Sequence, residues 1–250
     1  MSIKDKVIVI TGAASGMGLE TAKLFASKGA KISIADVQEK PLKELAAELE
    51  KSGAQVLATV VDVSNRKQVE AWIDATVAKF GKLDGAANLA GVIGRQNNIA
   101  RIEEVDDDDW DFIFGVNTKG LLNCMRAQIP HFNEKGGSIV NAASILGLMG
   151  SKKSIAYVAS KHAVVGMTRA AAKELGERNI RVNCFCPGPI DTPMYRKSAE
   201  IRGTKLDTSF LALNRAADQK EVPPLIEFLI SENASFITGN AMPIDGGWHC

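Results

Sequence analysis

Tyr157 and Lys161 stand four residues apart in the run IAYVASKHAVVG, residues 155–166. On a helix that spacing puts both side chains on one face, one turn apart. A phenol beside a fixed ammonium is a proton-transfer device. A free tyrosine has a pKa of about 10, too high for a good base near neutrality, and a neighbouring positive charge favours the phenolate and lowers that value. A lone pair at this spacing is more often a chance surface pair, so other residues must decide. The second signal is TGAASGMG, Thr11 to Gly18. Gly12, Gly16 and Gly18 allow a tight turn and close backbone approach, and a helix N-terminus beyond them would offer unpaired N–H groups to a pyrophosphate. The spacing is GxxxGxG rather than GxGxxG, and a glycine trio alone is weak; its place between a strand and a helix strengthens it. Asp36 follows Gly18 by eighteen residues. A carboxylate there can accept hydrogen bonds from adenosine ribose hydroxyls.

The elements that must hold these residues alternate from the start. KVIVIT (6–11) reads as a buried strand, GLETAKLFASKGA (18–30) as an amphipathic helix stopped by Gly29, and KISIAD (31–36) as a second strand ending on Asp36. A helix over 39–53, a strand over 54–63, a helix over 65–81 capped by Ser64, and a strand with a glycine turn over 83–91 follow. A long helix is expected from about Asp107 to Phe132, with the acidic run Asp106–Asp109 at its N-terminal, dipole-positive end. GGSIVNAAS (136–144), a helix running to about Arg178, and NIRVNCFCPG (179–188) come next. Residues 189–215 carry no clean period, VPPLIEFLISE (222–232) is helical, and AMPIDGG (241–247) is a last short strand. Alternating strands and helices with near-continuous apolar strands predict an α/β fold, a parallel sheet covered on both faces. No linker or composition break divides residues 1–250, which read as one domain.

Composition is that of an ordinary globular chain: 250 residues, 46% hydrophobic, 24% charged, net charge +1. No basic block suggests nucleic acid. No apolar run approaches a membrane span, and MSIKDKVIVITG lacks the features of a signal peptide, so a cytoplasmic protein is expected. Cys124, Cys184, Cys186 and Cys250 form neither a CxxC pair nor a zinc-like spacing with histidine, and read as buried inert thiols. No metal is expected.

Seven signs in order resemble the short-chain dehydrogenase/reductase family over essentially the whole chain: TGAASGMG, Asp62-Val63, NLAG at 88–91, Asn117, Ser144, YVASK at 157–161, and PGPIDT at 187–192. The family usually has NNAG where this chain has NLAG, Leu89 replacing the second asparagine. The resemblance implies a Rossmann-like, doubly wound, seven-stranded parallel sheet of order 3-2-1-4-5-6-7 and a nicotinamide dinucleotide cofactor, and Asp36 makes the expected cofactor NAD. By it, Gly12, Ser15, Gly16, Met17 and Gly18 hold the dinucleotide. Asp62 and Val63 contact adenine, and Asn88 braces the cofactor side. Pro187, Gly188, Ile190 and Thr192 face the nicotinamide. Tyr157 is then the acid/base, Lys161 also binds the nicotinamide ribose, Ser144 orients the substrate oxygen, and Asn117 holds a water linking Lys161 to solvent.

The same resemblance makes 189–215 a substrate lid, with Met194, Tyr195, Ile201, Leu206, Phe210, Leu211 and Leu213; ILGLM (145–149) and the loop 92–101, with Arg95, Gln96, Asn97 and Asn98, complete the surroundings. An apolar pocket favours a bulky or cyclic secondary alcohol or ketone. The expectation is therefore an NAD-dependent alcohol/ketone oxidoreductase acting on a small molecule. Rival readings are an NADPH-dependent 3-oxoacyl thioester reductase, a specialised biosynthetic enzyme, and a redox-silent binding protein on the same fold. Apolar residues on several faces of two helices (Ala127 and Ile129; Ala163, Met167 and Ala171) suggest packing against a second copy, as a homotetramer or dimer.

Overall fold

Every residue of β1 (Val7–Thr11) is buried. Val7 and Val9 feed one apolar layer, Ile8 and Ile10 the other. A strand buried on both faces is apolar along its run, here Val7–Ile10, and must be sandwiched; the terminal Thr11 is buried with its hydroxyl hydrogen-bonded. The computed structural model, which describes residues 2–204 and 207–250, shows how. Leu206, one of the expected lid residues, lies outside those described.

Along the chain β1 is followed by α1 (Gly16–Ser27), β2 (Lys31–Asp36), α2 (Glu39–Lys51), β3 (Val56–Val60), α3 (Arg66–Phe80) and β4 (Gly85–Asn88). Then come α4 (Asp107–Phe114), α5 (Leu121–Gln128), β5 (Gly137–Ala142), α6 (Ile155–Leu175), β6 (Ile180–Pro187), β7 (Ile190–Asp191), α7 (Pro193–Arg202), β8 (Ala217–Asp218), α8 (Pro223–Ile230) and β9 (Ala241–Ile244). Seven strands form one sheet, β3-β2-β1-β4-β5-β6-β9, parallel at every pairing. This is the Rossmann-like, doubly wound order expected from the sequence; the seventh strand is ninth in the chain because β7 and β8 pair with each other outside the sheet.

One core holds Phe25 of α1, the Leu42/Leu45/Leu49 stripe of α2 and Ile226/Leu229 of α8. The other holds Trp72 and Ile73 of α3, Cys124 and Met125 of α5, and Val164/Val165 of α6. Polar side chains inside these layers are paired: the Trp72 indole N–H donates to Ser33 Oγ at 2.8 Å, and Ser33 and Thr76 hydroxyls share a bond at 2.7 Å. β1 pairs with β2 on one side and β4 on the other, so strand order reverses there. The loops leaving β1 and β4 consequently diverge and leave a crevice at the carboxyl end of the sheet.

The structure corrects several local expectations. Asn65, not Ser64, caps α3: its side chain accepts the Gln68 N–H, whereas Ser64 Oγ is spent on Asp62 Oδ1 at 2.7 Å. The helix expected over 107–132 is interrupted by a π-helical turn, Gly115–Gly120, between α4 and α5. Asp106 does cap α4, but Asp109 is buried and faces a loop, as described below. The aperiodic stretch after β6 contains a ten-residue helix, α7, with Thr192 as N-cap and Pro193 in its first turn. Its residues are mostly polar and exposed, which erased the periodicity a core-facing helix would show. Cys250 is exposed, unlike the other three thiols.

Candidate active site

The turn after β1 is built for close approach. Gly12 has φ +70°, and a Cβ there would lie 2.8 Å from Ala90 N. A Cβ on Gly18 would run into the Gly12 carbonyl oxygen. Ser15, the N-cap of α1, makes no side-chain cap bond, so the first-turn N–H groups face the crevice without that partner. Thr11 Oγ1 accepts the N–H groups of Leu89 (3.0 Å) and Ala90 (3.2 Å), tying the two diverging loops together. At the far end, Asp36 Oδ2 accepts the Ala14 N–H and Oδ1 the Gln38 N–H, both at 3.0 Å. Each oxygen keeps a further acceptor position.

These groups line a cleft of about 500 Å³, which includes Gly12, Ser15, Gly16, Met17, Gly18, Asp36, Asp62, Val63 and Thr192 among the residues expected from sequence. Leu89–Val92 and Val116 form its inner wall, which sequence reasoning did not name beyond the strand-end motif. Cradle, open helix N-terminus and terminal carboxylate fit a dinucleotide.

A second cleft of about 350 Å³ meets the first at Met17, Thr192 and Met194. Ser144, Tyr157, Pro187, Gly188 and Ile190 line it, with an apolar wall of Ile145, Leu146, Phe210 and Trp248. The Phe210 and Trp248 rings pack with centroids 4.7 Å apart. Trp248 gave no signal in the sequence, because nothing local marks a residue beyond the last strand as part of a pocket.

Asn88, Asn117 and Lys161 line neither cleft. Asn88 is turned inward, its amide exchanging hydrogen bonds with Gln128 and donating to Asn141 at 3.0 Å. Its contribution is to hold the end of β4, so that the next residues form the wall. Asn117 sits in the π turn and bonds both main-chain groups of Val92: Nδ2 donates to the carbonyl (3.0 Å) and Oδ1 accepts the N–H (2.8 Å). It also donates to Ser160 Oγ at 3.0 Å. Lys161, 4% exposed, donates from Nζ to the Ala142 carbonyl at 2.8 Å. Asn117 and Lys161 converge at Gly91, where a Cβ would stand 3.3 Å from Asn117 Oδ1 and 3.4 Å from Lys161 Nζ.

Lys161 Nζ lies 5.7 Å from the centroid of the Tyr157 ring. The electrostatics differ from the simple expectation. Burial pushes the Tyr157 phenol above its ordinary value, and a hydrogen bond with Ser144 pulls it part of the way back. Burial depresses Lys161 to about 8, against the opposing pull of the Cys186 and Cys184 thiols. The ammonium therefore survives at neutral pH, and Ser144 is the partner acting directly on the phenol.

Comparison with known proteins covers nearly the whole chain. A family model described as Enoyl-(Acyl carrier protein) reductase matches residues 12–249. "Short-chain dehydrogenase/reductase aba4" of Botryotinia fuckeliana (strain B05.10) is 48% identical over 98% of this chain and 97% of its own. The crystal structure of levodione reductase superposes with a TM-score of 0.89 at 36% identity, covering 98% of this chain and 97% of that one. That of 3-ketoacyl-(acyl-carrier-protein) reductase from Brucella melitensis, complexed with NADH, gives 0.90 at 33% identity over 100% of both chains. With relatives this similar along its whole length, the chain belongs to the short-chain dehydrogenase/reductase family, whose members are nicotinamide-dependent oxidoreductases.

Proposed function

We propose that this chain uses NAD(H) to interconvert a secondary alcohol and a ketone, on a bulky or cyclic, largely apolar substrate. The observation that carries the reading is the junction of the two clefts: the glycine-lined one ending at Asp36 opens into the one lined by Ser144 and Tyr157. The residues of the first cleft would hold a nicotinamide dinucleotide, which would supply hydride transfer there. The chain's own residues handle the proton and the geometry. Ser144 Oγ hydrogen-bonds the substrate oxygen, and Tyr157 accepts its proton in oxidation or returns it in reduction. Lys161 supplies a positive charge one helical turn away, held by the Ala142 carbonyl. Asn117 keeps the Val92 backbone in place beside it. Ile145, Leu146, Phe210 and Trp248 hold the apolar body of the substrate and exclude water.

Likeness to the Brucella melitensis 3-ketoacyl reductase supports a second reading, reduction of a 3-oxoacyl thioester. One experiment separates the two: secondary alcohols, ketones and a 3-oxoacyl thioester are assayed with NAD(H) and with NADP(H), following the absorbance of reduced nicotinamide. Turnover of cyclic alcohols or ketones with NAD(H) is expected. Turnover confined to the thioester with NADPH would replace the first reading by the second, and cofactor binding without any turnover would leave a redox-silent protein.

A further inference from the structure

Most polar side chains along the second cleft are already engaged. Asn98 Nδ2 donates to Ser198 Oγ at 3.1 Å, and Asn98 Oδ1 accepts from Ser154 Oγ at 2.8 Å. Thr192 Oγ1 accepts the Tyr195 N–H and so caps α7. Arg202 and Asp207 are exposed at the rim and oppose each other in charge. Asn97 differs. It is 7% exposed, lines the cleft together with Ser144 and Tyr157, and its Oδ1 is buried with no hydrogen-bond partner. Among the described residues only Thr118 shares that condition. An unpartnered buried amide carries a penalty of roughly 1–3 kcal/mol, which folding alone gives no reason to keep.

Nor is Asn97 a bystander on a loose loop. On its N-terminal side, Asp109 accepts the Arg95 N–H at 2.7 Å and the Gln96 N–H at 3.0 Å. On its C-terminal side, the Asn98 N–H donates to the Lys153 carbonyl at 2.8 Å, and Asn98 adopts φ +69°, a left-handed conformation that asparagine tolerates. Two anchors thus pin the one residue between them whose amide is unused. The residue so pinned lines two cavities, both of which also touch Tyr157; its Oδ1 is covered, and its Nδ2, which is not among the covered unpartnered atoms, is the end of the amide left to meet a ligand.

We propose that Asn97 is a specificity-determining residue whose carboxamide hydrogen-bonds a second oxygen on the substrate, so that the substrate class is a cyclic diol, hydroxyketone or diketone rather than a simple alcohol. This rests on the alcohol/ketone reading above. The reacting oxygen belongs to Ser144 and Tyr157; the second oxygen meets Asn97, and the apolar wall takes the ring between them. A mono-oxygenated ring would leave the amide without a partner and lose one orienting contact, about tenfold in affinity.

The test uses the three positional isomers of cyclohexanediol against cyclohexanol. Binding to the NADH-loaded protein is followed by titration calorimetry, and oxidation is followed with NAD. At least one diol should bind and turn over about tenfold better than cyclohexanol. In Asn97→Ala, and in Asn97→Leu, which keeps the volume, that ratio should fall towards one, with thermal melting confirming a folded protein. Equal binding of diols and cyclohexanol by the unmodified protein overturns the proposal, as does a proportionate loss for both in the variants. Calorimetry reads the ratio without turnover. Failure of NADH to bind would instead count against the NAD-dependent reading, and the same ratio is then measured on the cofactor-free protein.

Discussion

The Asp36 carboxylate reaches from the end of β2 to the glycine turn after β1, accepting the Ala14 N–H at 3.0 Å. One side chain thus both shapes the cradle and puts a negative charge at the far end of the first cleft. Two unit charges about 4 Å apart repel by on the order of 4 kcal/mol at an effective dielectric of 20, before solvent and rearrangement soften it. A ribose 2′-phosphate placed there would meet that repulsion. We expect NAD(H) to be preferred over NADP(H) by at least tenfold in kcat/KM, about 1.4 kcal/mol. Asp36→Ser should shrink the preference. Adding Val37→Arg should reverse it, because Val37 is 61% exposed on the cleft rim and an arginine there is free to reach the phosphate. Steady-state kinetics with both cofactors decide; equal use by the unmodified protein would refute the assignment.

Tyr157→Phe removes the phenolic hydroxyl and leaves the ring. Turnover should fall by roughly a hundred- to ten-thousand-fold, the usual range for a lost general acid/base, with NADH affinity within a few-fold. Ser144→Ala should raise the pKa governing the alkaline limb of the ketone-reduction profile, where Tyr157 must hold its proton, since Ser144 is the group that lowers the phenol. Near-normal rates in Tyr157→Phe would remove this residue from the mechanism.

Lys161 makes a signed prediction about stability. Its pKa is about 8 in the folded chain, against an ordinary value of 10.5. Below pH 8 both states hold the proton and burial costs in full. Between the two values the unfolded chain binds more protons than the folded one, so stability rises with pH. Relative to Lys161→Met, the unmodified protein should gain ~3 kcal/mol across that window, from 1.36 kcal/mol per pH unit. Denaturant titrations of both proteins at several pH values measure the difference, and a flat or falling difference contradicts the buried ammonium.

Thiol labelling tests the cores. Cys184 and Cys186 are fully enclosed and Cys124 is 1% exposed, its thiol pushed up to about 12 by burial. Only Cys250 is open to reagent. A disulfide reagent should modify about one thiol per native chain and all four in denaturant. Rapid native labelling of a second would show a looser core.

Assembly through α5 and α6 is expected to give a homotetramer or dimer at micromolar concentration, checked by light scattering; a monomer would be the contrary result. The residues that suggested it divide in the structure. Ala127 belongs to the chain's own core, while Ile129, Met167 and Ala171 are partly buried against it. An apolar helix face seen in sequence does not distinguish burial within a chain from burial between chains.

The sheet was legible because its strands are apolar runs separated by glycine stops, and parallel strands buried on both faces have little other way to be written. Short motifs carry the glycine turn, Asp36, Ser144, Tyr157 and Lys161; the structure sets all but Lys161 along the two clefts and buries Lys161 behind them. Asn88 shows where motif reading ends: its position was right for the strand end, but its amide serves Gln128 and Asn141 rather than the cleft. Asp109 looks in sequence like part of a helix cap, and only the fold shows it gripping the loop that carries Asn97. The π turn at Asn117 had no sequence signature, because an α and a π turn use the same residues. Contacts between segments far apart in the chain leave no local periodicity to find.

Among the described residues the two clefts share Met17, Thr192 and Met194 alone. Their remaining walls belong to different stretches of chain, so the molecule is separable for exchange. Grafting a relative's residues 93–98, 145–151 and 195–210 would redraw what is recognised while the dinucleotide seat keeps its own residues. A graft that also crosses any of the three shared positions would couple the two recognitions, and selectivity for one ligand would then drift with affinity for the other.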